Sequence, residues 1–140
     1  MKEFIEHIKQ LDKKTFYSIF KDEEECLRVL SEHKWKDGFR CRKCGHTNYC
    51  KGRTPYSRRC TRCKYEESAR AFTLFHRCHI PLTVGFSMMY RICNDEEIST
   101  YKLSDIYSLR QMTCWRFKKN VLKCIEDDEE EPQPASEIRS

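Results

Sequence analysis

The stretch "CRKCGHTNYCKGRTPYSRRCTRC", residues 41–63, holds five cysteines and seven Lys or Arg among its 23 residues. Four of the cysteines fall in two Cys-x-x-Cys pairs, Cys41/Cys44 and Cys60/Cys63, with fifteen residues between the pairs. Two intervening residues let both thiolates of a pair reach one ion from a single tight knuckle. Two knuckles complete the tetrahedron that Zn2+ takes with soft sulfur ligands. Gly45 after the first pair permits a positive φ, which turns amide N–H groups toward the sulfurs; Lys64 holds the same place after the second pair. The pattern predicts one structural Zn2+ held by Cys41, Cys44, Cys60 and Cys63. His46 and Cys50 lie inside the loop as alternative donors, but the symmetric set is preferred. Cys50, following Tyr49 in a strand-like run, is expected to be a buried small hydrophobe. A thioredoxin-type redox role requires one CxxC on a βαβ pattern, which this sequence does not offer.

Positive charge surrounds the knuckles. Residues 34–64 carry eleven Lys or Arg against one acid, Asp37, a local net of +10 in a chain whose overall net charge is +5. Residues 126–131, EDDEEE, carry a local net of −6. These blocks read as a polyanion-binding middle and an acidic, disordered tail. The N-terminus, MKEFIEHIKQLDKK, is charged throughout, and no stretch approaches the ~18 apolar residues of a membrane span. The expectation is a cytoplasmic protein with no membrane partner. Its ten cysteines then serve metal binding and burial rather than disulfides.

A length of 140 residues suits one domain or two very small ones, and 39% hydrophobic residues suffice for a core. The fold class expected is small α+β, in four segments: residues 1–34 N-terminal helices, 35–74 the zinc ribbon, 75–125 helical, 126–140 the tail. In the first segment, Phe4, Ile5, Ile8 and Leu11 share a helical face. Asp22 is a good N-cap for a second helix that buries Cys26, Leu27 and Leu30. The ribbon offers two or three short hairpin strands, too few to bury a core without metal. Pro81 suits a helix start, with Leu82, Phe86, Met89, Tyr90 and Cys93 at helical spacing. A next helix carries Ile98, Tyr101, Leu103 and Ile106. A turn near Ser108 leads to "RQMTCWRFKKNVLKC", in which Met112, Trp115, Val121 and Leu122 are expected to face inward. Two short helices, a tight turn and a basic third element read as a helix-turn-helix. The "HRCH" run at His76, Cys78 and His79 offers no fourth ligand at good spacing, so capping and packing are its expected roles. Cys26, Cys93, Cys114 and Cys124 are expected in the core.

The segments "KWKDGFRCRKCG", "RRCTRC", "AFTLFHRCHIPLTVGFSMMY" and "ISTYKLSDIYSLRQMTCWRFKK" together resemble the N-terminal region of a group of insertion-sequence transposases. The resemblance covers about residues 20–122. Matching positions are Trp35, Gly38, Cys41, Cys44, Gly45, Cys60, Cys63, Thr73, Phe75, His76, Pro81, Leu82, Thr113 and Trp115. The sequence departs from the pattern at Phe72 and Ser108, where the family usually has Gly. The resemblance implies a zinc-ribbon plus helix-turn-helix module that binds transposon-end DNA. The family's RNase H-like catalytic domain would follow this region. The chain is therefore expected to be a truncated, stand-alone or domesticated relative, not an enzyme.

The expected partner is double-stranded DNA, with a separate transposase catalytic chain as a further candidate. Arg40, Arg42, Lys43, Arg53, Arg58, Arg59 and Arg62 are the expected phosphate-facing residues of the ribbon, and Arg110, Gln111, Arg116 and Lys118 those of the recognition helix. The alternative is an interaction module for RNA or a protein partner. In that case Tyr49, Tyr56 and Tyr65, interleaved with the basic residues, would stack on unpaired bases.

Overall fold

The computed structural model describes residues 1–76 and 78–126. The acidic tail beyond Glu126, and the disorder expected of it, lie outside the described residues. Among those described, six helices and a three-stranded sheet alternate as three helices, the sheet, then three helices.

Helix α1 (Lys2–Lys9) buries Phe4, Ile5 and Ile8, the stripe that its spacing predicts. Helix α2 (Lys13–Ile19) occupies the aromatic stretch and buries Phe16; the Asp12 side chain caps it by accepting from the Thr15 amide. Helix α3 (Glu23–Lys34) begins at Asp22, whose carboxylate accepts from the Glu25 amide at 2.8 Å. Three acids fill its first turn, and His33 and Lys34 its last, so both ends suit the helix dipole.

Helix α4 (Leu82–Asn94) is the centre of the helical part. Leu82, Phe86, Met88, Met89, Ile92 and Cys93 are all buried. Fully burying one such large apolar side chain is worth about 1.5–3 kcal/mol. Its first amides receive a carboxylate from another helix: the Leu82 and Thr83 N–H groups donate to Glu23 at 2.8 and 2.7 Å. Helices α5 (Thr100–Tyr107) and α6 (Gln111–Glu126) follow, and α6 packs on α1, α4 and α5. Segments 1–34 and 75–125 thus share one hydrophobic core, in which Phe4, Phe75 and Phe86 meet edge-on or stacked. Ser87 ties three helices, its hydroxyl lying 2.7 Å from both the Tyr17 and Tyr107 hydroxyls.

The turn between α5 and α6 forms without glycine. Ser108 adopts φ 56°, ψ 43°, and the Ser108 and Leu109 amides both donate to the Ser104 carbonyl. The Ser104 hydroxyl closes the turn on the Leu109 carbonyl at 2.5 Å. These local bonds offset the cost of about 1–2 kcal/mol that a left-handed non-glycine residue incurs.

Met112, Trp115 and Cys50, which the sequence leads one to expect inside, are exposed. On α6 the buried face is Cys114, Phe117 and Val121, while Met112 and Trp115 are 59% and 49% exposed. On α5, Leu103 is buried but Tyr101 and Ile106 are exposed. Both helices carry apolar residues on two faces, and Leu103, Cys114, Phe117 and Val121 are the ones packed into the core. Cys50 is exposed as well, because its strand lies at the sheet edge with no buried face.

His33 packs beside the Phe4 ring at 4.7 Å. Burial, with the N-terminal ammonium and Lys36 adding to it, lowers its pKa from 6.5 to about 4. The folded imidazole therefore stays neutral where the unfolded one takes a proton. Its contribution to stability is complete above pH 6.5 and is lost as pH falls from 6.5 toward 4. A His33→Gln protein is expected to show a shallower loss of unfolding midpoint over that window than the wild type. Zinc release in acid is common to both proteins, so the difference between their urea midpoints reads His33. Parallel curves would refute it.

Candidate metal centre and nucleic-acid interface

The ribbon is built from β1 (Tyr49–Lys51), β2 (Arg58–Cys60) and β3 (Glu66–Glu67), antiparallel in the order β1-β2-β3. Tyr49 pairs with Cys60 and Arg58 with Glu67. At the β1–β2 hairpin, the Glu66 carboxylate accepts from the Arg53 amide and the Ser57 hydroxyl, both at 2.7 Å. Gly52 is required there, since a Cβ would sit 2.1 Å from the Ser57 Oγ.

The two knuckles are built alike. In the first, the Gly45 amide donates to the Cys41 carbonyl at 2.9 Å and the Cys41 amide to His46 at 2.8 Å. In the second, Lys64 donates to Cys60 at 3.0 Å and Cys60 to Tyr65 at 2.9 Å. Gly45 has φ +81° and Lys64 φ +68°, so the lysine takes the conformation that glycine takes in its counterpart. The Lys43 and Cys44 amides point at the Cys41 sulfur at 3.3 and 3.4 Å, and the Arg62 and Cys63 amides at the Cys60 sulfur at 3.3 and 3.4 Å.

This symmetry brings the four sulfurs together. Cys41 and Cys63 are 3.6 Å apart, Cys44 and Cys60 3.5 Å, and all four sulfurs lie within 4.8 Å of one another. A tetrahedron with Zn–S of ~2.3 Å has sulfur–sulfur edges of about 3.8 Å, so the set fits one Zn2+. Among the described residues no other His, Cys, Asp or Glu group gathers closely enough to hold a metal. Burial works against ionising Cys60, but the Cys63 and Arg62 amides outweigh it and bring its pKa down to about 6. Cys41 is lowered likewise, burial again being outweighed by the Cys44 and Lys43 amides. The His46 amide favours the Cys44 thiolate, yet desolvation and the neighbouring sulfurs push that thiol up to about 11. Thiols this close share protons, and a divalent cation takes the place of those protons when it binds.

Trp35, Phe39, Cys41, Cys60 and Ala69 form the ribbon's small core. Two attachments to the helical part escaped the sequence reading. The Lys34 ammonium at the end of α3 meets Glu67 of β3 at 2.7 Å with both side chains buried, and Arg42 meets the same carboxylate at 3.1 Å. Arg70 donates to the Cys78 carbonyl at 2.5 Å and the Ile80 carbonyl at 3.1 Å. His76 accepts from the Phe72 amide at 3.0 Å and stacks on the Phe72 ring, a capping and packing role.

The basic residues differ in availability. Lys43, Arg53 and Arg62 are exposed, as is Arg40, which donates to the Gly45 carbonyl at 3.3 Å. Arg58 is half-buried, its guanidinium 4.6 Å from the Trp35 ring and 4.1 Å from Tyr49. Arg42 lies 4.1 Å from the Phe72 ring, and Arg59 is half-buried between its strand partners Cys50 and Glu66. Arg110, just before α6, and Gln111 and Arg116 on it are exposed, whereas the Lys118 ammonium is bound to the Ile98 carbonyl at 2.6 Å.

Four cysteines on two matched knuckles joined by a short sheet define a zinc-ribbon protein. Residues 21–66 match the family model of the transposase zinc-ribbon domain, from the cap of α3 to the start of β3. No curated protein and no solved structure matches the chain. No helix among the described residues is long and apolar enough to cross a membrane.

Proposed function

We propose that this chain is a zinc-dependent, transposase-like module that binds double-stranded DNA. The observation that carries the reading is charge on a metal-built scaffold. Residues 34–64 carry a local net of +10; Lys34 is spent on the buried Glu67, but Arg40, Lys43, Arg53 and Arg62 are exposed on the ribbon. The net charge exceeds what a Zn(Cys)4 centre of charge −2 needs for balance. Helices α5 and α6, joined by the Ser108 turn, add a helix-turn-helix-like unit in which exposed Arg110 immediately precedes the second helix and exposed Gln111 opens it. In this reading the ribbon holds phosphates and α6 reads bases. It assigns no cutting or joining step to these residues. Such a step would belong to a transposase catalytic chain, for which this module, working in the cytoplasm, would supply DNA contacts.

Base stacking on the ribbon tyrosines is the weaker reading. The Tyr49 ring already meets Arg58 at 4.1 Å and Phe39 at 5.3 Å, and Tyr56 and Tyr65 are half-buried.

Binding of the zinc-loaded chain to duplex and single-stranded oligonucleotides across a salt series tests the proposal. Duplex is expected to bind more tightly. Arg53→Ala and Arg62→Ala are each expected to weaken every duplex alike and to shallow the salt slope by about one unit. Preference for single strands, or a salt slope unmoved by both changes, would refute it.

A further inference from the structure

The exposed apolar side chains of α5 and α6 are gathered in one place. Tyr101, Met112 and Trp115 are 71%, 59% and 49% exposed, and with Thr100 and Gln111 they line a shallow groove. The core does not need them, because Leu103, Cys114, Phe117 and Val121 already fill the inward faces of the two helices. Gln111, Met112 and Trp115 occupy positions 1, 2 and 5 of α6, the outer face of its first two turns. The Lys119 ammonium lies 4.9 Å from the centre of the Trp115 ring.

The charge around the groove indicates what covers it. Residues 110–125 contain five Lys or Arg and no acid. If two copies met through this face about a two-fold axis, Arg116 and Lys119 would be brought near their own counterparts, a like-charge arrangement that costs affinity. Duplex DNA supplies negative phosphates on both sides of a major groove whose floor combines hydrogen-bonding base edges with thymine methyl groups. There an A·T pair presents the thymine C5 methyl beside the adenine N7 and N6 positions. Glutamine pairs with adenine through both, and apolar side chains contact the methyl.

We propose that Gln111, Met112 and Trp115 form a base-reading surface for A·T pairs in the major groove, with thymine methyl groups seated against Met112 and Trp115. The proposal rests on the DNA-binding reading above and adds what that reading leaves open, the bases selected and the residues that select them. Tyr101, from the start of α5, closes one wall of the groove.

Deoxyuridine pairs as thymine does but lacks the methyl group. The zinc-loaded chain would first select preferred duplexes from a random pool, and single thymines of that site would then be replaced by deoxyuridine. One or two positions are expected to lose about fourfold in affinity each, the worth of one buried methyl, while other thymines are silent. Met112→Ala and Trp115→Ala proteins are expected to bind the preferred site about tenfold more weakly, with little change on random duplex, and to lose the sensitivity to deoxyuridine. The deoxyuridine series uses the unaltered protein, so it does not depend on how the variants fold. A selected site indifferent to deoxyuridine throughout would overturn the proposal. So would variants equally weakened on both kinds of duplex, or variants that bind DNA normally but lose self-association in sedimentation. Salt-dependent duplex binding without deoxyuridine sensitivity would overturn this proposal alone; no duplex binding at all would overturn the DNA reading with it.

Discussion

The Cys60→Ser protein is expected to carry no stoichiometric zinc and to lose the fold of residues 35–74, while the helices keep theirs. The two parts of the molecule are held by different forces. Among the described residues the helical core gathers 21 buried side chains, from residues 4–30 and 74–121. The ribbon core has five, and two of them, Cys41 and Cys60, are zinc ligands. Trp35, Phe39 and Ala69 cannot by themselves order three strands of two or three residues each. Binding of structural zinc contributes about 10–16 kcal/mol in small zinc-dependent folds, and here that free energy takes the place of a core.

Serine keeps the size of Cys60 but is a poor zinc ligand, and it accepts differently from the Arg62 and Cys63 amides that now point at the sulfur. Elemental analysis after a chelator wash reads the metal, and amide NMR spectra read the ribbon. Circular dichroism should change little, because every helix described lies outside residues 35–74. Cys26→Ser is the control: Cys26 is also fully buried, but in the helical core, so one zinc per chain should remain. Cys60→Ser protein with one tightly held zinc would sink this account of the site.

What the sequence disclosed and what it withheld divide along local and non-local lines. The ligand set was legible because a Cys-x-x-Cys knuckle is closed by bonds among neighbouring residues, from Cys41 to His46 and from Cys60 to Tyr65. Asp22 was legible as a cap for the same reason, its partner Glu25 being three residues away. The stripe of α1 had one apolar face and therefore one solution. Helix α6 had two: Met112 with Trp115, or Cys114 with Phe117. Spacing alone cannot choose between them, since the choice depends on the space that α1 and α4 leave. The small Cys114 and flat Phe117 fit that space, and Phe117 reaches Phe75 at 6.1 Å. Glu23 reads locally as one acid among three in a first turn, yet its partners are the amides of Leu82 and Thr83. Glu67 gives no local sign of burial either.

Glu67→Ala is expected to cost about 3–5 kcal/mol in stability, the usual loss when one member of a buried ion pair is removed. Both side chains of the pair are nearly inaccessible, Lys34 at 6% and Glu67 at 2%. The ammonium spends its donors on Glu67, the Ser68 carbonyl at 2.7 Å and the Ala71 carbonyl at 2.6 Å, and it lies 4.7 Å from the Trp35 ring. Without the carboxylate the lysine keeps two carbonyls but has no counter-charge, and Arg42 loses the same partner. The loss has a ceiling, because a buried lysine can shed its proton instead.

That escape gives the prediction a pH signature. Burial, opposed by Glu67, already lowers the Lys34 pKa from 10.5 to about 8. In the wild type, therefore, folding expels this proton only above pH 8, and the linked stability rises from there to 10.5. Removing Glu67 takes away the group that holds the pKa up, so in the variant the rise begins at lower pH. The deficit of Glu67→Ala should be largest near neutrality and shrink as the solution becomes alkaline, in denaturant unfolding of the zinc-loaded proteins. A Lys34→Met/Glu67→Leu double variant should recover most of the loss, since an apolar pair of similar volume replaces both charges together. A deficit that is constant with pH, or a double variant as weak as the sum of its single changes, would mean that the carboxylate acts through Arg42 and not through Lys34.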